Sequence, residues 1–421
     1  MMIEGSSRSA HIAREARFGA RNYRPLPVVL TRGEGAHLWD VDGKRYIDMT
    51  SAYSAVSFGH GHPRLVRVLC EQAARLALTS RAFHTDVLGT FMEALCRATG
   101  MDKVLPMNSG AEAVETAIKA ARKWGHKVKG IPEGRARIIV ANGNFAGRTT
   151  TIISFSSEAQ YKDGFGPLTP GFDSVPFGDA SAVERAITPA TAAFLVEPIQ
   201  GEGGIIVPPD GYLREVRALC RRHDVLMICD EVQTGLGRTG RLFAVDHEGV
   251  KPDAMTLGKA LGGGLLPVSA FAARADVMDV FNPGDHGSTF GGNPLAAAVA
   301  VEALAVLREE ELVERSAELG AHLMRRLRSI AHPAIREVRG RGLLVGIDID
   351  PAWCGGRAFC ERLLKGGVLT KETRESVVRL APPLVIERST LDAAIDAIEG
   401  TLQGLQDPGA RSNEWAEPLN A

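Results

Sequence analysis

The residues with the clearest chemical potential are one lysine and one aspartate. Lys259 lies in the segment Met255-Thr-Leu-Gly-Lys-Ala-Leu-Gly-Gly-Gly264, among apolar residues and glycines rather than among other charges. Asp230 directly follows the apolar run Val225–Cys229, which is typical of a buried parallel strand. The aspartate is therefore expected at the carboxyl end of a strand, where open α/β sheets bind their ligands.

This pair meets the chemical requirements of pyridoxal 5'-phosphate (PLP). That cofactor forms a Schiff base with a lysine and needs a carboxylate that keeps its pyridine nitrogen protonated. The charged ring then withdraws electrons from a carbanion that forms beside it. Considered alone, Lys259 fits a capping or salt-bridged lysine better. The pairing with Asp230 and the candidate phosphate ligands described next favour the cofactor.

Two stretches carry candidate ligands for a phosphate group. Ser109, Gly110 and Ala111 lie between a short predicted strand and an alanine-rich helix, where backbone amides at a helix N-terminus can approach an anion. Ser288 and Thr289 lie in a polar, glycine-rich loop that leads into another predicted helix. Without other information the first stretch fits an ordinary helix start with Ser109 as its N-cap, so both interpretations stay open.

Residues at other predicted strand ends could bind a ring and a substrate carboxylate. Phe145 and Arg148 share a loop after a strand, so the phenyl ring could stack on a cofactor and the guanidinium could bind a carboxylate through two hydrogen bonds. Glu197 and Glu202 follow another strand. Arg379 ends a third, where it could anchor a substrate carboxylate or serve as a cation between domains. None of these residues is diagnostic alone.

One glycine motif indicates a different cofactor, but its context argues against that cofactor. Gly235–Gly240 match G-x-G-x-x-G, the dinucleotide-binding fingerprint. The preceding strand ends well before the first glycine, no clear long helix follows, and no acidic residue closes a second strand at the usual distance. A dinucleotide site is therefore rejected.

A histidine pair, His60 and His62, raises the question of a metal site. No third ligand with suitable spacing accompanies the pair. A turn that leads into a helix at Pro63 accounts better for this segment, since proline is common in the first turn of a helix. We therefore expect no metal.

Composition excludes several classes of protein. The chain has 421 residues, 45% of them hydrophobic and 24% charged, which allows about two domains around a large core. A formal net charge of −1 gives no basic field for nucleic acid or an anionic membrane. No apolar run reaches the about 18 residues of a membrane span. The six cysteines form no C-x-x-C motif and mostly lie in apolar runs, so we expect reduced core thiols and a cytoplasmic location.

Helices and strands are predicted to alternate from Pro63 onward. This alternation predicts an α/β fold with a mostly parallel sheet flanked by helices. After about residue 305 we expect two charged amphipathic helices, 294–308 and 310–331, followed by short strands and a final helix. The predicted units are an N-terminal segment, 1–50, with a helix and a β-hairpin that belongs to the small domain; a large cofactor-binding domain, 51–305; and a small α+β domain, 306–421.

Taken together, these segments resemble the class III, fold type I family of PLP-dependent aminotransferases. The resemblance covers almost the whole chain, from about residue 22 to 387. Asp230-Glu-Val-Gln-Thr-Gly and Gly258-Lys-Ala-Leu are typical of the class as a whole. The segments around Tyr23 and Tyr53 resemble its ornithine-specific members. The resemblance implies fold type I, with the small domain formed from both ends of the chain.

The resemblance also implies roles for the cofactor-binding candidates. Lys259 would carry the cofactor and then move a proton, while Asp230 would pair with the pyridine nitrogen. Phe145 would stack on the ring, and Gln233 would contact the ring oxygen. The remaining expected cofactor contacts are Val232, the phosphate ligands Ser109, Gly110 and Ala111, and Ser288 and Thr289 from a neighbouring subunit. A site shared in this way implies a homodimer or a larger assembly.

For the substrates, the resemblance implies transfer of the δ-amino group of L-ornithine to 2-oxoglutarate. Tyr23 and Arg148 would anchor the α-carboxylate of ornithine, and Tyr53 would line the same site. Glu202 would pair with Arg379 while ornithine reacts. The arginine would then be released to bind the α-carboxylate of 2-oxoglutarate, with Arg148 holding the distal carboxylate.

Two departures put fine specificity in doubt. Phe290 stands where ornithine-specific members often have tyrosine, and Gly203 stands where related chains often have alanine. The alternatives are another ω-aminotransferase, acting on N-acetylornithine or 4-aminobutyrate, a PLP-dependent aminomutase or racemase, and a non-catalytic protein of the same fold. Tyr23 argues against the first, the charge pair of Glu202 with its arginine against the second, and an intact Lys259 against the third.

Overall fold

The computed structural model describes residues 7–408. Its strands, in chain order, are β1 (Leu30–Glu34), β2 (His37–Asp40), β3 (Arg45–Asp48), β4 (Lys103–Met107), β5 (Arg137–Ala141), β6 (Phe172–Val175), β7 (Thr191–Val196), β8 (Leu226–Asp230), β9 (Ala254–Leu257), β10 (Ser269–Ala273), β11 (Ile335–Arg341), β12 (Leu344–Ile349), β13 (Val368–Leu369), β14 (Lys371–Thr373) and β15 (Val377–Leu380).

The helices follow the same numbering. They are α1 (Arg8–Phe18), α2 (Ser51–Ser54), α3 (Pro63–Arg75), α4 (Leu88–Thr99), α5 (Gly110–Lys127), α6 (Thr150–Ser154), α7 (Ala180–Ala186), α8 (Tyr212–Arg222), α9 (Ala275–Met278), α10 (Pro294–Glu309), α11 (Leu312–Ser329), α12 (Gly356–Lys365) and α13 (Arg388–Gln403). Short 3-10 turns lie at Ala159–Tyr161, Ala244–Glu248 and Lys259–Gly262.

A seven-stranded sheet with the order β4-β10-β9-β8-β7-β5-β6 forms the centre of the molecule. Only β10 runs antiparallel to its two neighbours, so the sheet is mostly parallel, as predicted. Alternate residues of one strand pack into two different hydrophobic clusters: Leu226 and Ile228 lie in one, Met227 and Cys229 in the other. Both faces of the sheet are therefore covered, which is why its strands are continuous apolar runs. This confirms the α/β class.

Two smaller sheets lie outside the central one. In the first, β3 near the start of the chain pairs in parallel with β13 near its end, through Ile47 and Val368. In the second, β11, β12, β15 and β14 form an antiparallel sheet in that order, and α11 packs against its edge strand β11. The two chain ends thus meet in one sheet, and β15 brings Arg379 from the second sheet towards the central one.

The segment 51–62, predicted as a loop, begins with a left-handed turn. The φ angles of Ser51, Ala52, Tyr53 and Ser54 are 38°, 46°, 60° and 75°, although none of these residues is glycine. Such angles cost L-amino acids about 1–2 kcal/mol per residue, so contacts elsewhere must hold the turn. One support is Asp48, whose Oδ1 accepts hydrogen bonds from the backbone at the start of the turn.

Some predicted elements were wrong or incomplete. Helix α10 is not a charged amphipathic helix: it is alanine-rich, largely buried, and packs against α3 and α4. Strands β6 and β9 and helices α7, α8 and α12 were not predicted. Strands β6 and β9 and helix α7 are too short to show a clear period, as in Phe172-Asp-Ser-Val for β6. Helix α8 does carry buried apolar residues at helical spacing, and that signal was missed.

Several smaller features complete the fold. His60 and His62 face different carboxylates, those of Asp48 and Glu310. Residues 7–408 contain no group of three or more side chains placed to hold a metal ion. All six cysteines are free thiols, but Cys70 is exposed and so departs from the expected core location. None of the helices in this part of the chain has the length and apolarity needed to cross a membrane.

Candidate active site

Lys259 and Asp230 meet at one edge of the central sheet. Asp230 is the last residue of β8, and the neighbouring parallel strand β9 ends just before the 3-10 turn that Lys259 begins. Since Asp230 lies beside Thr256 in the strand register, the two carboxyl ends open onto the same space. Both side chains line one cavity of about 180 Å³. The predicted pair is therefore a spatial pair.

The carboxylate of Asp230 is buried and held in one orientation. Its Oδ1 accepts hydrogen bonds from the backbone N–H of Val232 at 3.1 Å and from the hydroxyl of Thr256 at 2.9 Å. Burial raises the pKa of Asp230 to about 6, although these hydrogen bonds and the charge of Lys259 oppose that shift. No hydrogen bond to Oδ2 is present among the described residues. This oxygen can therefore accept an N–H from a ring in the cavity.

The amine of Lys259 is poised to act as a nucleophile and a base. Burial lowers its pKa to about 8, and the charge of Arg379 acts in the same direction. The carboxylates of Glu202 and Asp230 act in the opposite direction. A substantial neutral fraction therefore exists near neutral pH, as both covalent attack and proton transfer require.

A second buried carboxylate, Glu197, borders the same cavity and was not given a role from the sequence. Its two oxygens accept hydrogen bonds from the backbone N–H groups of Phe145 at 2.9 Å and Gly201 at 3.3 Å. Burial and the nearby Asp230 raise the pKa of Glu197 to about 8. The side chain thus fixes the loop that carries Phe145 to the end of β7.

The shape of the cavity suits a planar aromatic cofactor. Phe145, Val232 and Gln233 line it together with the start of α5. A Cβ on Gly110 would lie 2.8 Å from Cγ1 of Val232, and one on Gly201 would lie 1.5 Å from Oε1 of Gln233. A larger residue at either position would therefore displace the side chain of Val232 or Gln233, both of which border the cavity. An aromatic wall, a buried carboxylate and a lysine together fit PLP.

The predicted phosphate ligands lie at the N-terminus of α5. Ser109 is the N-cap residue, and it forms a reciprocal capping box with Glu112. The hydroxyl of Ser288 accepts a hydrogen bond from Asn108 of the same chain at 2.8 Å, beside this helix start. Thr289 is exposed. Contribution of Ser288 and Thr289 to a neighbouring subunit remains a prediction, because a single chain is described.

Arg379 has the features of a carboxylate-binding residue. It is only 1% exposed, pairs through Nη1 with Glu202, and lies over the ring of Tyr53 at 4.5 Å. Its Nε and Nη2 are buried and have no acceptor among residues 7–408. Buried N–H groups rarely stay unpaired, so these two donors indicate a ligand position.

Arg148 and Tyr23, the two residues expected to bind the α-carboxylate of ornithine, are both exposed. The guanidinium of Arg148 stacks on Tyr161 at 3.5 Å, with Phe145 farther away at 5.6 Å. Tyr161 received no role from the sequence, because only this stacking reveals one. Tyr23 is 80% exposed and makes no hydrogen bond to another described residue. The structure thus leaves the predicted contact of Tyr23 with the substrate untested.

Further contacts join the small sheet to the site. In the β14–β15 hairpin, the hydroxyl of Thr373 donates to the backbone oxygen of Glu202 at 2.6 Å. The next residue, Arg374, forms an ion pair with Glu158. Nothing in the sequence indicated these contacts, since they depend on how the hairpin meets loops more than 150 residues away in the chain.

Comparison with known proteins agrees with this geometry. The family model "Aminotransferase class-III" matches residues 18–402. The chain is 57% identical to the ornithine aminotransferase of an Exiguobacterium species, over 92% of this chain and 96% of the relative. It is 53% identical to that of Bacillus subtilis, over 93% and 97% of the two chains.

Two solved structures show how the fold is shared. Ornithine aminotransferase from Toxoplasma gondii, with partial occupancy of PLP at its active site, superposes with a TM-score of 0.93 at 47% identity and covers 95% of each chain. Acetylornithine aminotransferase from Elizabethkingia anophelis superposes with a TM-score of 0.86 at 48% identity, and the match covers 95% of this chain and 100% of that one.

Proposed function

The chain belongs to the class-III aminotransferase family, and from that premise we propose that it is a PLP-dependent enzyme that transfers the δ-amino group of L-ornithine to 2-oxoglutarate. The products are glutamate semialdehyde, which cyclises to pyrroline-5-carboxylate, and glutamate. The observation that carries this proposal is the pair of buried Arg379 and partly exposed Glu202, whose charges both act on Lys259. That pair can serve a diamino acid and a diacid in turn.

The residues of the chain divide the chemical work between them. When bound, PLP supplies an electron sink for the carbanion that forms during transamination. Asp230, whose Oδ2 accepts no hydrogen bond from the described residues, would hold the pyridine N–H of the cofactor, and Phe145 and Val232 would border its ring. Lys259 Nζ removes a proton from the δ-carbon of ornithine, and its pKa of about 8 suits a base that must also release the proton.

The arginine–glutamate pair explains how one site accepts both substrates. While ornithine reacts, Glu202 neutralises Arg379, so the arginine does not draw the α-carboxylate towards Lys259. When 2-oxoglutarate enters, its α-carboxylate binds Nε and Nη2 of Arg379, the donors that have no acceptor among residues 7–408. Arg148, with Tyr23, binds the carboxylate at the far end. Specificity thus comes from masking an attraction as well as from making one.

The assembly and the location of the chain belong to the same proposal. We assign Ser288 and Thr289 to the phosphate of a neighbouring subunit, which makes the active form a homodimer or larger. Support comes from Phe290 in the same loop, which is exposed in the single chain although it is a large apolar residue.

The six free thiols support a reducing, cytoplasmic location. The units 1–50, 51–305 and 306–421 stay the proposed domains.

Two observations favour a second candidate function, transamination of N-acetylornithine. The acetylornithine aminotransferase from Elizabethkingia anophelis is 48% identical to this chain, and the ornithine aminotransferase from Toxoplasma gondii is 47% identical. In addition, Tyr23, which is proposed to help bind the α-carboxylate of ornithine, is exposed. An acetylated α-amine would need room that a seated Tyr23 restricts.

The test compares the two donors directly. PLP-loaded protein is mixed with L-ornithine or N-acetylornithine, and loss of the visible absorbance of the bound cofactor is followed. Pyrroline-5-carboxylate is trapped with o-aminobenzaldehyde. We expect bleaching and trapped product with ornithine only. Bleaching with N-acetylornithine only would transfer the proposal to the second candidate, and no bleaching with either donor would refute both.

A further inference from the structure

Arg238 lies in the glycine motif Gly235–Gly240, which the proposed reaction does not use. It is 0% exposed, yet no carboxylate lies within hydrogen-bonding distance of it among the described residues. Burial lowers its pKa to about 9. The charge of Asp48 opposes this shift, but that carboxylate does not bond to the guanidinium. A buried cation without a hydrogen-bonded anionic partner is costly, so it must be held by other polar groups. These groups identify its task.

All four side-chain hydrogen bonds of Arg238 go to neutral oxygens on distant segments. Nη1 donates to the backbone oxygens of Leu343 at 3.0 Å and Pro382 at 2.6 Å. Nη2 donates to the hydroxyls of Ser51 at 3.2 Å and Ser57 at 2.8 Å. One planar side chain therefore joins the connection after β8, the segment around the left-handed turn, and the segments that flank β12 and β15.

Two of these segments carry the substrate side of the site. The serines bracket Tyr53, and Pro382 follows Arg379 closely in the chain. The same segments are also tied to each other, because the hydroxyl of Ser51 donates to the backbone oxygen of Ala381 at 2.6 Å. Arg238 thus binds both halves of the stack in which the Arg379 guanidinium lies over the Tyr53 ring.

The cofactor side of the site lies on the connection that carries Arg238 itself. Asp230 begins this connection, and Gln233 donates to the backbone oxygen of Tyr53 at 3.4 Å. Moreover, the turn at Tyr53 has unfavourable φ angles and needs external support. The fork of a guanidinium can hold four oxygens in one plane, which a lysine ammonium cannot.

We propose that Arg238 is a positioning residue: it holds the Tyr53 ring against the Arg379 guanidinium and so fixes the carboxylate-binding end of the substrate site relative to the cofactor. This proposal rests on the proposed function and names a determinant of its diacid specificity. Arg238 itself touches neither substrate nor cofactor. Its loss should weaken binding of the α-carboxylate of 2-oxoglutarate and leave PLP binding unchanged.

The test uses Arg238→Lys in the PLP-loaded full-length protein. We expect the KM for 2-oxoglutarate to rise about tenfold with little change in kcat, because a small displacement of the binding groups is enough for such a loss. The single-turnover rate with ornithine and the affinity for PLP should stay near their original values. Binding of glutarate, an unreactive diacid, should weaken to a similar extent in calorimetry.

Arg217→Lys is the matched control. Arg217 is another largely buried arginine; it pairs through two nitrogens with Asp253, on the far side of β8 and β9 from the substrate groups. This control should lower thermal stability without changing the KM for either substrate. If Arg238→Lys behaves like the control, with lower stability and unchanged glutarate affinity, the positioning role is wrong.

A milder variant keeps the proposal testable if Arg238→Lys does not fold. Ser57→Ala removes one acceptor of Arg238 and should raise the KM for 2-oxoglutarate in the same direction by a smaller factor. An unchanged KM and unchanged glutarate binding in this variant would also contradict the proposal. Glutarate binding does not require turnover, so a failure of the proposed reaction in the unmodified protein is distinguishable from a failure of the positioning role.

Discussion

Two arginines of this molecule are buried to the same degree and differ in how they are satisfied. Arg238 is 0% exposed and gives four of its N–H groups to neutral oxygens, with only Nε unmatched. Arg379 is 1% exposed, pairs through Nη1 with one carboxylate, and leaves Nε and Nη2 without acceptors in the described part of the chain. Arg238 is thus fixed by four hydrogen bonds, whereas Arg379 has donors that are free within residues 7–408, with which it can bind a second carboxylate.

The difference shows how burial alone fails to identify a functional cation. An unsatisfied buried N–H costs about 1–3 kcal/mol, so a protein keeps one only where something else repays the cost. In Arg379 the donors Nε and Nη2 are unpaired among the described residues and are proposed to bind the substrate. The side chain of its partner Glu202 is 27% exposed, so water can solvate the carboxylate when the pair opens. Arg238 offers no such exchange.

The largest expected effect is on activity when the exchangeable arginine is removed. Arg379→Met should reduce kcat/KM for 2-oxoglutarate by about a hundredfold or more, because a desolvated charge pair with the diacid, worth about 3–5 kcal/mol, is lost. Its free energy of unfolding should change by less than about 1 kcal/mol, since Glu202 can turn to solvent. Steady-state kinetics and urea denaturation check the two parts. A large loss of stability would mean that this arginine is also structural.

Arg238→Met should lower the free energy of unfolding far more than Arg379→Met does. Removal of the side chain leaves two buried backbone oxygens without donors, so the free energy of unfolding should fall by about 3 kcal/mol. The measurement is urea denaturation of the PLP-free protein in parallel with Arg379→Met. Equal destabilisation of the two variants would remove the distinction between a held and an exchangeable arginine.

Glu202→Gln tests the carboxylate that masks Arg379. The ornithine half-reaction should slow about tenfold more than the glutamate half-reaction, because an unmasked arginine favours binding of ornithine in the wrong direction. Single-turnover kinetics of the PLP-loaded protein with each amino acid give both rates. Glu197→Gln is a suitable comparison, since that buried carboxylate lies at the cofactor side. Equal slowing of the two half-reactions by Glu202→Gln would contradict the masking role.

The pKa of Lys259 gives a prediction for pH dependence. Since burial lowers that pKa to about 8, the neutral amine becomes dominant as pH rises through 8, and the rate of PLP addition to the PLP-free protein should rise over that range. The reaction of PLP with Nα-acetyl-lysine in solution is the control. PLP titrates in the same way in both reactions, so only the pKa of the amine differs. The negative charge of Glu202 raises the pKa of Lys259, so Glu202→Gln should move the midpoint to lower pH. An unchanged midpoint would place the two groups too far apart to interact.

The smallest effect is expected at the ion pair between Arg374, which lies in the β14–β15 hairpin, and Glu158. Arg374 and Glu158 are each about one-third exposed, and exposed pairs contribute only about 0–1 kcal/mol. Arg374→Gln should therefore change neither stability nor the KM for 2-oxoglutarate measurably. A tenfold change in that KM would show that the hairpin position, rather than Arg379 alone, controls diacid binding.

Parts of this account were accessible from the sequence because they follow from short-range rules. An apolar run followed by Asp230 predicted a strand that ends at a ligand site, as found in β8. Lys259 was assigned to the same site from its apolar and glycine-rich surroundings, whereas the strand β9 that places it beside Asp230 was not predicted. In the same way, small residues before an alanine-rich run predicted a helix start with Ser109 as its N-cap, as found in α5.

Other parts depend on contacts that no local pattern encodes. The left-handed turn at Tyr53 occurs in Ser-Ala-Tyr-Ser, without the glycine that normally indicates positive φ angles. The motif of Arg238 matched a dinucleotide fingerprint, but its function depends on oxygens of Ser51 and Pro382, which lie more than 140 residues away on either side. The stacking of Arg148 on Tyr161 likewise required the folded loops.

The most direct measurement asks which nitrogen of ornithine reaches glutamate. Ornithine labelled with ¹⁵N at the δ position is supplied with 2-oxoglutarate, and the label in the glutamate formed is measured by mass spectrometry. The unmodified protein should give almost fully labelled glutamate, and Glu202→Gln should give a measurable unlabelled fraction, because unmasked Arg379 turns the substrate round. Unlabelled glutamate from the unmodified protein, or unchanged labelling in Glu202→Gln, would contradict the masked-arginine mechanism.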